Sequence, residues 1–462
     1  MSEAKSPLPM LAVFFLCALM TGFTENIINV ALPEIIAYFG ITELIAQWLV
    51  TGFMIVSAAM ISITAFLVQR FPTRNLFIFA SLIFLVASVG CFVSVSFSTL
   101  LLFRVMQSVA TGMFVPLMFN AILAIAPREK LGTFMSLAVF AIIVGPALGP
   151  VFSGFMAGAF GWRGVFVIPF VAIALLFVAG LFLVHDLGLR RDVTFDAPSA
   201  VLVVLGISAV TFGLSQVFTQ LLYGCAALLV GAVLLAVFAY RQLHLDAPLL
   251  DVRLLVKPAY LVAVVISLLI MLVNFSMTVL MPVYFQDALG MTASLSGLLI
   301  LIPAACQAVP SLFSGRIYDK KGPWPLMSIG GLLLAGGLVA AVIEAQQLNA
   351  LGISIAVAVS FIGIGFASAP NQTAGLASLT PEENPHGVAI NDTVFQLGGA
   401  FGPSLFIGVK AAAAGSATAA GVTSAAELAI VGFVTATEVA AGIGFVVFIA
   451  LTVFALRLRK RA

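Results

Sequence analysis

The chain has 462 residues, of which 62% are hydrophobic and only 8% are charged. A soluble domain carries roughly 25% charged residues, and no single globular core hides this much apolar surface from water. The composition therefore excludes a soluble protein and predicts an all-α membrane protein. The net charge of +2 is too small to suggest a nucleic-acid partner.

Fourteen apolar runs, each long enough to cross a bilayer, follow one another along the chain. If the N-terminus is cytoplasmic, every Lys and Arg except Arg104, Arg163 and Lys410 falls in a cytoplasmic segment, as the positive-inside rule requires. We therefore expect a multi-pass protein of the plasma (inner) membrane with both termini in the cytoplasm. The runs lie near residues 9–31, 44–68, 75–97, 99–124, 133–157, 163–184, 197–218, 222–243, 259–285, 293–315, 324–345, 350–376, 387–411 and 432–456.

The fifth run carries Gly145, Pro146, Gly149 and Pro150, a combination that a soluble helix would not tolerate. In a membrane, neighbouring helices cover the backbone groups that proline leaves free. Gly145 and Gly149 are one helical turn apart and predict the close approach of another helix, while the prolines predict a bend. We expect these four residues to belong to a conformational gate around which the rest of the chain is arranged.

The chain contains an internal repeat. Short basic turns at 65–74 and 315–324 follow the second and tenth runs, at equivalent places in two halves. Duplicated halves are common in secondary transporters, with the substrate site between them near the bilayer midplane. We therefore predict an N-terminal six-helix bundle (1–190), a two-helix insert with a cytoplasmic linker (191–257) and a C-terminal six-helix bundle (258–462). Residues 246–257 are interpreted as a polar linker and residues 412–427 as a flexible outer loop.

Three of the ionisable side chains within apolar runs are candidates for proton coupling. Such a group costs at least about 2.5 kcal/mol at membrane depth, so it usually has a function or a partner. Glu25 and Asp392 are candidate proton carriers, and Arg104 is the candidate partner of Glu25. The alternatives are a Glu25 that only ties helices together, an Asp392 at head-group level near a helix start, and an Arg104 that snorkels to the outer surface.

Uncharged polar groups in the apolar runs are candidates for the substrate cavity. Hydrogen bonds between helices are an equally good explanation for them. These residues are Asn29, Gln107, Asn274 and Gln396.

A charged turn lies at the cytoplasmic end of the tenth run, where Asp319 is flanked by Arg316 and Lys320. We expect an ion pair made by this turn to latch the outward-facing state and to break on inward opening. The alternative is a turn that serves topology alone. Gln69 occupies the equivalent place in the first half and, being uncharged, predicts a weaker latch there.

Several segments, in this order along nearly the whole chain, resemble the major facilitator superfamily, and most closely its fourteen-span drug:proton antiporter family. The resemblance implies the major facilitator fold, with two six-helix bundles and two inserted central helices. Gln69 and Thr24 stand where the family usually has Asp, Pro72 where it has Gly, and Phe395 where Arg is common. The resemblance therefore implies a differently built inward-facing gate and proton carrier. The segments are 29–33, 47–51, 104–107, 145–150, 248–254, 315–322 and 396–402.

The expected function is that of a monomeric, proton-coupled secondary transporter, which exports amphipathic or cationic drugs by alternating access. Its expected partners are a small-molecule substrate, protons and the lipid bilayer. A P-loop, a metal-ligand spacing and a nucleophile elbow are all missing from the sequence, so we expect no cofactor, no metal and no enzyme activity. His185, His244 and His386 are expected in solvated cytoplasmic loops. The alternatives are an exporter of a metabolite, lipid or peptide, and a non-transporting membrane receptor.

Overall fold

The computed structural model describes residues 8–28, 31–41, 43–46, 48–188, 196–217, 220–245, 248–291 and 293–459. These residues form α-helices joined by short connections, and no strand occurs among them. The helices are α1 (Leu8–Ile27), α2 (Leu32–Phe39), α3 (Glu43–Ala46), α4 (Trp48–Arg70), α5 (Thr73–Val93), α6 (Phe97–Ile125), α7 (Leu131–Gly164), α8 (Val167–Leu183), α9 (Ala197–Gln216), α10 (Leu221–His244), α11 (Pro258–Asp287), α12 (Ala293–Lys321), α13 (Pro323–Gln346), α14 (Ala350–Leu376), α15 (Asn384–Ala419) and α16 (Ala425–Arg459).

Among the described residues, 14 helices are long and apolar enough to cross a membrane, which confirms the predicted number of spans. Only the short helices α2 and α3 are excluded from this set. We call the end of the molecule where α4 ends and α5 begins the predicted inner end, and the opposite end the predicted outer end. By this definition α7, α11 and α15 begin at the predicted inner end, and α12 ends there.

Two predicted boundaries at the outer end are wrong. The first span ends at Ile27 rather than near residue 31, because a new helix with a proline in its first turn, α2, begins at Leu32. The segment expected to be a flexible loop is largely helical, since α15 continues to Ala419 and α16 begins at Ala425. Alanine has the highest helix propensity of all residues, so its abundance there extends the helix.

The linker between α10 and α11 is not the polar segment that we predicted. Leu249, Leu250 and Leu254 are 2%, 6% and 1% exposed and join the core cluster that also contains Val388 and Ala389 of α15. A short 3₁₀ helix, Val252–Val256, shapes the second half of the linker. Three leucines of the linker are therefore buried at the predicted inner end, whereas Arg253 and Val256 are exposed.

Close helix packing recurs in the two halves of the chain. A Cβ atom at Gly149 would lie 2.9 Å from the backbone oxygen of Phe23, and one at Gly145 would overlap the backbone oxygen of Leu19, so α7 meets α1 backbone to backbone. In the second half, a Cβ atom at Gly402 would lie 2.5 Å from the backbone oxygen of Leu272, so α15 meets α11 in the same way. The predicted close approach at Gly145 and Gly149 is thus confirmed.

We expect Gly145→Ala to destabilise the protein by about 1–3 kcal/mol, because the added methyl group collides with the backbone of α1. Gly336→Ala is the matched control, since nothing lies within 4 Å of the Cβ atom it would add to α13. An added methyl in open space should stabilise a helix slightly, by up to about 1 kcal/mol. Thermal unfolding of both variants in detergent measures the difference. Equal melting temperatures would contradict the close packing.

Candidate gate and proton site

A buried arginine joins three helices near the predicted outer end. Arg104 of α6 is fully buried, and its Nη2 atom donates to the backbone oxygens of Thr24, at 2.8 Å, and Glu25, at 3.1 Å. Its guanidinium also lies 4.1 Å from the ring centroid of Phe53 in α4. The last carbonyl groups of a helix have no partner within that helix, so Arg104 caps the end of α1.

This geometry corrects two expectations about Arg104. The side chain does not snorkel to the surface. It also contacts the backbone oxygen of Glu25 rather than the carboxylate, and no ion pair between the two side chains occurs in the described part of the chain. The half-buried Glu25 carboxyl stands beside the helix end that Arg104 fixes.

The polar residues predicted for the cavity are not brought together. Gln107 is fully buried within the N-terminal helices, where Nε2 donates to Ser88 Oγ at 2.8 Å and Oε1 accepts from Arg104 Nη1 at 3.1 Å. Asn274 is half-buried and its Nδ2 donates to Gln307 Oε1 at 2.9 Å, joining α11 to α12. These contacts fit the alternative of hydrogen bonds between helices. Gln396 is half-buried on α15, and Asn29 lies outside the described residues, as does the side chain of Pro150.

Asp392 lies in the third turn of α15, deeper than the helix start at which the alternative placed it. It is only 5% exposed, and its Oδ2 atom has no hydrogen-bond partner among the described residues. The next residue, Thr393, lies 3.2 Å from Ser62 of α4, measured between the hydroxyl oxygens. A carboxyl group therefore sits, incompletely satisfied, beside the contact between the two halves of the chain.

Asp319 closes the contact between α12 and α7 at the predicted inner end. Its carboxylate accepts hydrogen bonds from the backbone nitrogens of Gly132, at 2.8 Å, and Thr133, at 2.9 Å, and from Thr133 Oγ1 at 2.5 Å. These donors belong to the first turn of α7, where free amides and the helix dipole favour a negative charge. Ser136, one turn further on, bonds the backbone oxygen of Ser311 and lies 3.0 Å from Ser314 Oγ.

The predicted ion-pair latch is therefore wrong in its chemistry. Arg316 and Lys320 are exposed, and neither forms an ion pair with Asp319 within the described ranges. The contact joins a carboxylate to a helix start instead.

The first half makes the corresponding contact with an amide and a ring. Gln69 near the end of α4 places its Nε2 atom 3.1 Å from His386 Nε2, in the first turn of α15. His386 is 8% exposed, which corrects its predicted place in a solvated loop. Its Nδ1 atom accepts a hydrogen bond from the backbone nitrogen of Asp251 in the linker, at 3.2 Å. We call these two contacts, Asp319 with the start of α7 and Gln69 with His386, the inner gate.

The hydrogen bonds that the structure describes between α1–α8 and α11–α16 lie in the predicted inner half. They are the two gate contacts, the Ser136 bonds and the Ser62–Thr393 pair. These hydrogen bonds join the two halves of the chain at the predicted inner end.

A further ion pair ties α11 to the start of α15. Lys257 Nζ lies 2.6 Å from Glu383 Oε2, which also accepts from the backbone nitrogen of Thr380 at 2.9 Å. Burial alone would raise the pKa of Glu383, but the bonds from Lys257 and Thr380 outweigh it and hold the pKa below its ordinary value of 4.5.

A carboxyl whose pKa is lower in the folded than in the unfolded state stabilises the fold above the unfolded pKa, and loses this effect as the pH falls through the folded pKa. We therefore expect Glu383→Gln to lower stability by less than about 1 kcal/mol at pH 7, because both partners are partly exposed. The difference in stability between the variant and the parent protein should decrease progressively below pH 4.5. Thermal unfolding of both proteins across this range, with the exposed Glu427→Gln as control, measures it. A deficit that grows on acidification would contradict the assignment.

Comparison with known proteins decides the family. The model of the Major Facilitator Superfamily matches residues 14–403, most of the chain. The chain belongs to the Major Facilitator Superfamily. The lincomycin resistance protein LmrB of Listeria monocytogenes is 31% identical over 412 residues, which cover 88% of this chain and 87% of that protein. The multidrug resistance protein B homolog of Mycobacterium tuberculosis is 28% identical, covering 85% of this chain and 74% of the relative.

Solved structures agree on the fold. The proton:xylose symporter XylE bound to 6-bromo-6-deoxy-D-glucose superimposes with a TM-score of 0.65 at 16% identity, covering 94% of both chains. This likeness confirms the major facilitator fold for the all-α chain described above. The protein is thus a multi-pass membrane transporter of that superfamily.

Proposed function

We propose that this protein is a proton-coupled exporter of amphipathic or cationic drugs, which works by alternating access in the plasma membrane. The names of its relatives support the drug class, since they denote resistance to lincomycin and to multiple drugs. We further propose the division into an N-terminal bundle (1–190), an insert with its linker (191–257) and a C-terminal bundle (258–462), with both termini in the cytoplasm. The described contacts at one end then correspond to an outward-facing state.

The observation that carries the proton coupling is the Asp392 carboxyl. A buried carboxylate without a full set of donors costs several kcal/mol, so Asp392 binds a proton while the contact between α4 and α15 is closed. Inward opening separates these helices and admits water, which stabilises the charged form. A proton taken up from outside is then released into the cytoplasm in the same step that resets the gate.

Glu25 is the second acid of the cycle. It stands at the end of α1 that Arg104 holds, and α1 packs against the glycine strip of α7. A change in charge at Glu25 therefore acts on a helix end that is fixed within the N-terminal bundle. Drug and proton drive transport only if they bind the outward-facing and inward-facing states with different affinities.

Drug accumulation in cells tests this function. The protein is expressed in a bacterium that lacks its own drug exporters, and uptake of ethidium, a lipophilic cation, and of lincomycin is followed with and without a protonophore. We expect lower accumulation in expressing cells and a return to the control level when the proton gradient is collapsed. Export that continues after collapse of the gradient would refute the proton coupling.

A further inference from the structure

The linker from Pro248 to Val256 occupies an unusual place for a connection between two parts of a chain. Connections generally run over the surface and are polar. Here Leu250 and Leu254 are buried in the core cluster shared by both halves, together with Val388 of α15. Val256, in the same 3₁₀ helix as Leu254, is 80% exposed. The burial is therefore a property of particular leucines and not of the whole segment.

The inserted helices hold this linker by buried polar contacts. Gln242 of α10 is fully buried, and its Oε1 atom accepts from the backbone nitrogen of Leu250 at 3.0 Å. Its Nε2 atom donates to Ser199 Oγ of α9 at 2.6 Å. Arg253 Nη2 donates to the backbone oxygen of Leu243 at 2.6 Å, at the end of α10. One amide thus ties α9, α10 and the linker together.

The other side of the linker reaches the inner gate. The backbone nitrogen of Asp251 donates to His386, and His386 meets Gln69. The insert itself packs against both gate helices of this contact, α4 and α15. On the α4 side, the rings of Trp48 and Phe212 of α9 are stacked with centroids 6.5 Å apart.

We propose that the two-helix insert and the linker leucines form a wedge that holds the inner gate closed. Separation of α4 from α15 would expose Leu250 and Leu254 to water and break the Asp251–His386 bond, so the wedge disfavours inward opening. This compensates for Gln69, which lacks the charge that Asp319 uses at the other gate contact. The inference rests on the proposed alternating access and assigns a task to the insert.

Cysteine labelling from the cytoplasmic side tests the wedge. A chain with its four native cysteines replaced carries Ser314→Cys, which reports on the contact between α7 and α12, away from the linker. An impermeant maleimide is applied to inside-out vesicles. Leu254→Ala and Gln242→Leu should each raise the labelling rate about tenfold, because each weakens the closed state. Val256→Ala, the matched exposed control, should leave the rate within about twofold of the parent.

The reference is Asp319→Ala, which opens the gate directly. Suppose that the introduced cysteine is labelled rapidly in Asp319→Ala but at the parent rate in Leu254→Ala and Gln242→Leu. The wedge is then refuted, whereas the inner gate is supported. If Asp319→Ala also labels at the parent rate, the inner gate is refuted and the wedge with it, while the drug-accumulation experiment tests the proposed function separately. Size-exclusion chromatography selects folded variants. Should Leu254→Ala fail to fold, Leu254→Val tests the same burial with a smaller deletion.

Discussion

The Asp392→Asn variant is expected to lose proton-driven drug export about 100-fold, near the upper end of typical coupling between two ligands. Asparagine keeps the size and polarity of the side chain but binds no proton. The variant should therefore fold, bind drug and exchange it down a gradient, yet gain nothing from a pH difference. Transport in reconstituted vesicles, with and without an imposed pH gradient, separates driven export from passive exchange.

Two controls make this result specific to Asp392. Glu427→Gln removes an exposed acid at the far end of the C-terminal bundle and should leave driven export unchanged. Asp392→Glu restores a titratable group and should recover part of the activity. If Asp392→Asn keeps its response to the pH gradient while Glu25→Gln loses it, the coupling belongs to Glu25 and our assignment is wrong.

The second large effect is expected from Asp319→Ala. This change removes the acceptor of three hydrogen bonds at the start of α7, and bonds to a charged group contribute about 1.5–3 kcal/mol each. A net shift of about 3 kcal/mol moves the equilibrium between states more than 100-fold, so the variant should populate the inward-open state and export poorly.

The matched control for Asp319→Ala is Lys320→Ala. Lys320 is the adjacent charge in the same turn, but it is exposed and contributes no bond to Asp319. Its removal should change neither cytoplasmic labelling at Ser314→Cys nor drug export. An equal effect of the two variants would contradict the helix-start latch and support the ion pair that the sequence suggested.

The features predicted well from the sequence depend on solvent and on backbone sterics. Length and polarity place the fourteen spans, because every backbone polar group in lipid must be satisfied inside a helix. The spacing of Gly145 and Gly149 predicts a close helix contact, because only a missing side chain allows that approach. Both properties are local, so a single chain reveals them.

The features that were missed depend on partners distant in sequence. Asp319 can be identified in the sequence as an acidic residue. Its partners cannot, because they are the backbone amides of Gly132 and Thr133, and almost every residue has such an amide. His386 is buried because it contacts Gln69 and the linker, both distant in sequence. From the sequence alone, a histidine next to a helix start is equally consistent with a solvent-exposed position. Asp251 and Arg253 lie between Leu250 and Leu254, so the segment was predicted to be polar. The folded chain nevertheless buries the two leucines.

The most direct test of the central claim is a proton-flux measurement on the purified protein in sealed vesicles that contain a pH-sensitive dye. Our account predicts that adding drug to one side shifts the internal pH within the time of drug movement, and that Asp392→Asn moves drug without this shift. Drug movement by the unaltered protein with no accompanying change in internal pH would contradict it.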